Sequence, residues 1–171
     1  MTTLYQKVGD NMTQESASEN LISTLQGFKL KAKDAGSIVD RINEVSNTQP
    51  INTSQLGEAL KRSASSFNAA HTDLSSAIAL ITGTFSVTQD ASRTGNMWKT
   101  VSMRLRNGDT RDKILDLTGY DIMNKQGTGY KDIMKIVTDI GSLYPKLNDK
   151  TQATLLETMA GRFFQYVQKC A

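Results

Sequence analysis

The sequence predicts an all-α protein: about seven short helices in an irregular bundle, with one Gly-rich loop or small hairpin near residues 120–130. Three observations predict it. Apolar residues recur at three- and four-residue spacing along most of the chain, the period of one helix face. Ser, Thr, Asp or Asn stands ahead of these runs, where a side-chain oxygen can accept from the unpaired N–H groups of a first turn. Gly and Pro punctuate the gaps.

The elements follow in order. "TQESASEN" offers Thr13, Ser16 or Ser18 as caps for a helix from about Gln14 to Phe28, with Leu21, Ile22, Leu25 and Phe28 on its apolar face. Ile38, Val39, Ile42 and Val45 place a second helix at roughly Ala35–Ser46, ended by "NTQP" because Pro50 disfavours helical backbone in the residue before it. Asn52, Thr53 or Ser54 caps the next, where Leu56, Leu60, Ala64 and Phe67 make a stripe. Thr72-Asp73 opens another, with Leu74, Ile78 and Ile81 on one face and small Ala and Ser residues between them that permit close helix packing.

After "SVTQDASRTG" a helix runs to near Arg106, stopped by the turn sequence "NGD". "DTRDKILDLTG" is a short helix with Asp109 as its cap and Gly119 at the left-handed position beyond its end. "YDIMNKQGTG" reads as the loop or hairpin, with Gly127 and Gly129 as turn residues. "YKDIMKIVTDIGSLY" resumes helix until Pro145, and Asn148 caps a last helix carrying Leu155, Leu156, Met159 and, beyond Gly161, Phe163, Phe164 and Val167.

Composition bounds the function. The chain has 171 residues, which suits one domain, and 20 Lys and Arg against 17 Asp and Glu, a modest excess that names no partner. Aromatics are only 6%, so the expected core rests on Leu, Ile, Val, Met and Ala, and stability is expected to be marginal. No apolar run is long enough to span a bilayer and no signal-peptide core is visible. Cys170 is the only cysteine, which excludes a disulfide framework and a multi-cysteine metal site and fits a reducing compartment.

The stretch "GNMWKTVSMRLRNGDTRDK" holds the only Trp and a concentration of basic residues. On a helical wheel with Arg93 at zero, Met97, Val101, Leu105 and Trp98 fall at roughly 40°, 80°, 120° and 140°. Arg104 falls near 20°, and Lys99 and Arg106 near 240° and 220°, so the charges flank the apolar arc. Long cationic stems at the edges of a buried stripe behave this way, whereas a groove-reading helix gathers its charges on one exposed side. Trp98 therefore reads as core. Arg93, Lys99, Arg104 and Arg106 stand as candidate assembly or nucleic-acid contacts, the second option making the chain a small helical nucleic-acid-binding or regulatory module.

Chemistry of other kinds finds little support. "GNMWKT" and "GDTRDK" lack P-loop spacing. His71, the only histidine, sits in the turn "NAAHTD" with no nucleophile motif around it, and Asp132 and Asp139 are spaced for a solvated helix face. No enzyme, cofactor or metal is implied.

From about Ser18 to Arg162 the sequence resembles the core region of bacteriophage tail tape-measure proteins, of the type found in long-tailed phages and prophages of Gram-positive bacteria. The order of blocks carries the resemblance: "ENLISTLQGF" and "AGSIVDRINEVSN", then "QLGEALKRSASSFNAAHTDLSSAIALITG", "GNMWKTVSMRLRN", "LDLTGYDIM" and "YKDIMKIVTDIGSLYPKLNDKTQATLLETMAGR". It implies a structural virion protein, mostly helical, of a kind that occupies the tail tube, fixes its length during assembly and leaves ahead of DNA at infection. The implied partners are tail-tube subunits, tail assembly chaperones and tail-tip proteins; the implied location is the virion tail, and the host cytoplasm during assembly.

Gly95, Lys99, Arg104, Leu105, Gly119 and Gly161 match the family pattern as fold or assembly positions, and the family supplies no catalytic residue here. The expected organisation is an N-terminal segment, 1–13, and a helical core region, 14–171. Stretched as one helix the chain would reach only about 250 Å, short for a ruler, and "FFQYVQKCA" replaces the family's polar continuation after "MAGR". A shortened or truncated form is the expectation, and a self-associating one if Phe163 and Phe164 lack partners.

Overall fold

In the computed structural model, residues 12–161 are described. The 1–11 stretch, and with it Phe163, Phe164, Val167 and Cys170, lies outside the described residues. Within them the fold is all-α, with eight α-helices where about seven were expected. These are α1 Gln14–Gly27, α2 Ala35–Ser46, α3 Thr53–Ala69, α4 Leu74–Thr88, α5 Ala91–Arg104, α6 Gly108–Thr118, α7 Ile133–Leu143 and α8 Asp149–Ala160. Single 3-10 turns precede α2 and follow α7.

The caps explain most of the boundaries. Thr13 accepts from the Ser16 N–H, Asp73 from Ser76 and Asn148 from Thr151. Asn52 and Gln55 form a reciprocal capping box at the start of α3, at 2.8 and 3.0 Å. At α6 the cap is Asn107 rather than Asp109. The Asn107 Oδ1 reaches the N–H groups of both Asp109 and Thr110, leaving Asp109 inside the first turn, where its charge faces the positive end of the helix dipole. Gly119 takes the expected left-handed conformation, φ +70°. Pro145 ends α7 by way of the 3-10 turn Tyr144–Lys146.

Helix α3 is the hub, packing against α1, α2, α4 and α5; α5 also meets α4 and α8, and α8 meets α6. The predicted stripe Leu56, Leu60, Ala64 and Phe67 is fully buried, and Trp98 of α5 packs on Phe67 with ring centroids 5.7 Å apart. Two glycines bring backbones together here. A Cβ on Gly95 would lie 2.7 Å from the Ala59 carbonyl oxygen, and one on Gly27 would lie 2.5 Å from the Ala64 Cβ. Both clamp a neighbour onto α3 at separations a side chain would forbid.

Two expectations change. Ile22 is 50% exposed, because Leu21 and Thr24 take the inward side of α1 and the next position lies about 100° further round. The core is also not built from apolar residues alone. Thr24, Ser63, Thr84, Thr94, Ser102 and Thr158 are buried, and each hydroxyl donates to the carbonyl four residues back. A short hydroxyl satisfied within its own helix carries no unpaired polar atom into the interface and keeps the side chain small. A Ser- and Thr-rich sequence can thereby bury a core with few aromatics.

Between α6 and α7 the Gly-rich stretch forms a minimal hairpin. One antiparallel bridge joins Met123 to Tyr130, with the Asn124 N–H donating to the Gly129 carbonyl at 2.7 Å. Gly127 turns the tip at φ +67°. Helix α7 consequently starts at Ile133 rather than at Tyr130, which the bridge holds extended, and Asp132 is its cap.

Candidate assembly interface

Helix α5 carries Arg93, Lys99 and Arg104, while Arg106 stands in the turn just past its end. Its buried side is broader than the apolar arc read from sequence: Thr94, Gly95 and Ser102 are buried with Met97, Trp98, Val101 and Leu105. Their small size at wheel positions continuing the arc was the available sign, since small residues let helices meet closely. Trp98 donates its indole N–H to Thr84 at 3.1 Å, and Thr84 donates on to the Leu80 carbonyl. The structure thus places Trp98 in the core.

The four cations do not converge. Arg104 turns inward to α8: its Nε donates to the Thr158 carbonyl at 2.9 Å and its Nη2 to the Glu157 carbonyl at 3.2 Å. These are carbonyls at the negative end of α8, so the guanidinium acts as a C-terminal cap with favourable charge. It also lies against Gly161, where a Cβ would come within 3.1 Å of Nη1. Arg93 sits 3.9 Å from the Asp90 carboxylate one turn back. Lys99 on α5 and Arg106 in the turn beyond it are exposed, with the 61%-exposed Met103 between them in sequence. Lys99 and Met103 on α5, with Arg106 in the turn just past it, form an exposed stripe.

A second polar feature holds the hairpin. Arg111 of α6 grips Asp121 through two parallel hydrogen bonds of 3.0 and 2.8 Å, and Asp121 also accepts from the Met123 N–H. The Arg111 bonds first, and then the Met123 N–H, hold the Asp121 carboxyl down to about 2. Lys131 donates to the Asp121 carbonyl and lies 4.0 Å above the Tyr120 ring. Tyr120 donates its hydroxyl to Asp139 at 2.6 Å. Burial, then this bond to a carboxylate, pushes the Tyr120 phenol up, while the same bond and Lys135 hold Asp139 down. Asp139 is therefore a partner of Tyr120 and Lys135, not merely part of a solvated face. Sequence spacing could not pair residues joined across a loop.

The third feature is an apolar groove of about 650 Å³ between α4, α5, α7 and α8, lined among others by Trp98, Met97, Met134, Val137, Leu156 and Met159. A more polar depression between α2 and α4 includes Arg41, Glu44 and Gln49.

His71 is exposed in the α3–α4 turn at φ +58°. Among the described residues no group of three or more His, Cys, Asp or Glu side chains could hold a metal ion. No helix there is long and apolar enough to cross a membrane.

Comparison with known proteins yields one family. The profile of phage-related minor tail proteins matches residues 2–161, nearly the whole chain, and the chain belongs to that family. No solved structure matches the chain.

Proposed function

From that membership we propose that the chain is a structural component of a phage tail, the core region of a tape-measure protein that contributes to tail assembly and to setting tail length. The observation that carries this reading is the extent of the match, which takes in every described helix. The blocks resembling tape-measure proteins fall on α1 to α8 in family order, so the resemblance extends along the helices that pack into one bundle. Its partners are tail-tube subunits, assembly chaperones and tail-tip proteins, met in the host cytoplasm during assembly and in the finished tail.

In this reading the bundle acts through its shape and contacts. Unfurled as one helix, the described residues would span about 220 Å, but folded back on α3 they supply a fixed docking body. The exposed stripe of Lys99, Met103 and Arg106 is its contact surface, with Arg93 on the opposite flank, while Arg104 serves the bundle by holding α8.

Deleting the gene from its phage or prophage tests the proposal. Heads without tails, or tails of uncontrolled length, are expected by electron microscopy, with complementation restoring normal length. Tails of unchanged number and length would overturn it. Retention on duplex DNA at low salt, with a steep salt dependence lost in Lys99→Ala/Arg106→Ala, would instead favour the nucleic-acid module.

A further inference from the structure

Between α1 and α2 the chain reads "KLKAK", Lys29 to Lys33, and every residue of that stretch is exposed. Its lysines equal the whole formal net charge of the chain, +3. Among the described residues none of them enters an ion pair, whereas Lys61, Arg62, Arg111 and Lys135 are each paired with a carboxylate. Resting on the phage-tail reading above, we infer that this turn is a docking surface for an acidic protein face of another tail component, with carboxylates set around an apolar patch.

Backbone hydrogen bonds hold the turn in place. Lys29 and Leu30 close α1 by donating their N–H groups to the Gln26 and Leu25 carbonyls, at 3.1 and 2.8 Å, and the Lys31 N–H donates to the Asp34 carboxylate at 2.8 Å. Lys29 stands at φ +55°, the left-handed position beyond a helix end where glycine is the relaxed choice, so its side chain is kept at a conformational cost. The negative end of α1 suits Lys29, but Lys31 and Lys33 precede the N-terminus of α2, whose dipole disfavours cations. Gathered without acidic partners, these ammonium groups form a preset positive surface. Its neighbours select the partner. Leu30 is 36% exposed and Ile22, about two turns earlier on α1, is 50% exposed, so apolar surface lies near the charge, as at protein interfaces with an apolar centre and a polar rim. Nucleic acid would leave those two side chains idle, and the segment has no aromatic ring or arginine to stack on a base. The lysines also fall short of the polybasic clusters that hold a protein to an anionic membrane.

Variants made in the phage or prophage test this surface. Lys29→Glu/Lys31→Glu/Lys33→Glu should lower the yield of tailed particles at least about tenfold, since like charges across an interface repel, while the corresponding change to Arg stays within about twofold of wild type. The purified Glu variant should melt no lower than wild type, because acidic groups ahead of α2 suit its dipole. In purified tails, carbodiimide coupling should join these lysines directly to Asp or Glu side chains of another tail protein. Normal tails from the Glu variant would overturn the inference and leave the tail reading intact, whereas unaltered tails after gene deletion would remove that reading itself. A lower melting temperature in the Glu variant would return the lysines to the fold and refute an acidic tail partner. Coupling that is absent, or confined to a second copy of this chain, would refute it too. So would binding of the wild type to duplex DNA or to phosphatidylglycerol vesicles that the Glu variant loses.

Discussion

Around α3 the chain is held by what it excludes from water, whereas between α6 and α7 it is held by what it pairs. Phe67, Leu60 and Ala64 bury completely, and Gly27 and Gly95 let backbones approach until a methyl group would collide. The hairpin, by contrast, has one bridge and hangs on the Arg111–Asp121 fork, the Lys131 contacts and the Tyr120–Asp139 bond. The first region gains stability from close fit, which a single atom can upset. The second gains it from partly exposed charge, which water screens and acid removes.

That contrast can be broken at its strongest point. Phe67 is fully buried against Trp98, so Phe67→Ala should cost roughly 3–5 kcal/mol, read as a lower urea midpoint with an unchanged slope. A loss under about 1 kcal/mol would mean that the hub is not close-packed.

The glycines sharpen the same point by sign. Gly95→Ala should destabilise by about 1–2 kcal/mol, overpacking against the Ala59 backbone outweighing the roughly 1 kcal/mol gained in helix propensity. Gly83, on α4, has nothing within 4 Å of its added methyl, so Gly83→Ala should stabilise by about 0.5–1 kcal/mol. Equal effects of one sign in thermal melts would refute the clamp.

The smallest effect tests the paired region. Asp121→Asn should cost about 0.5–1 kcal/mol at neutral pH, as expected for a partly exposed ion pair. Asp121 has a folded pKa below its unfolded one, so its contribution is complete above about pH 4 and is lost as the pH falls through about 2. Melting curves of wild type and variant should converge across that window. A difference that persists below it would show that charge is not the cause.

Legibility divides along the same line. The stripe on α3, the burial of Trp98 and the cap at Asn148 were readable, and the caps at Asn52 and Asp73 were narrowed to two or three neighbours, because periodicity and capping are local relations within a few residues. The helix in which Asn107 displaced Asp109 shows the limit of that locality, since two residues two apart could both cap and only backbone geometry chose. For the four basic candidates the helical wheel set the charges beside the buried arc, but local spacing could not show that Arg104 turns to the carbonyls of Glu157 and Thr158. Those lie more than fifty positions away.

The sequence by itself determined an all-α chain, the approximate helices, and a family order of blocks that the profile match to residues 2–161 supports at the level of phage minor tail proteins. Tertiary structure alone decided which small residues are close-contact points, which hydroxyls join the core, which cation caps α8, and that an apolar groove opens beside the end of that helix. The physical reason is range. Helix propensity and amphipathic period are fixed by neighbours one or two turns away, whereas a collision, a fork or a groove exists only once separate helices share a surface.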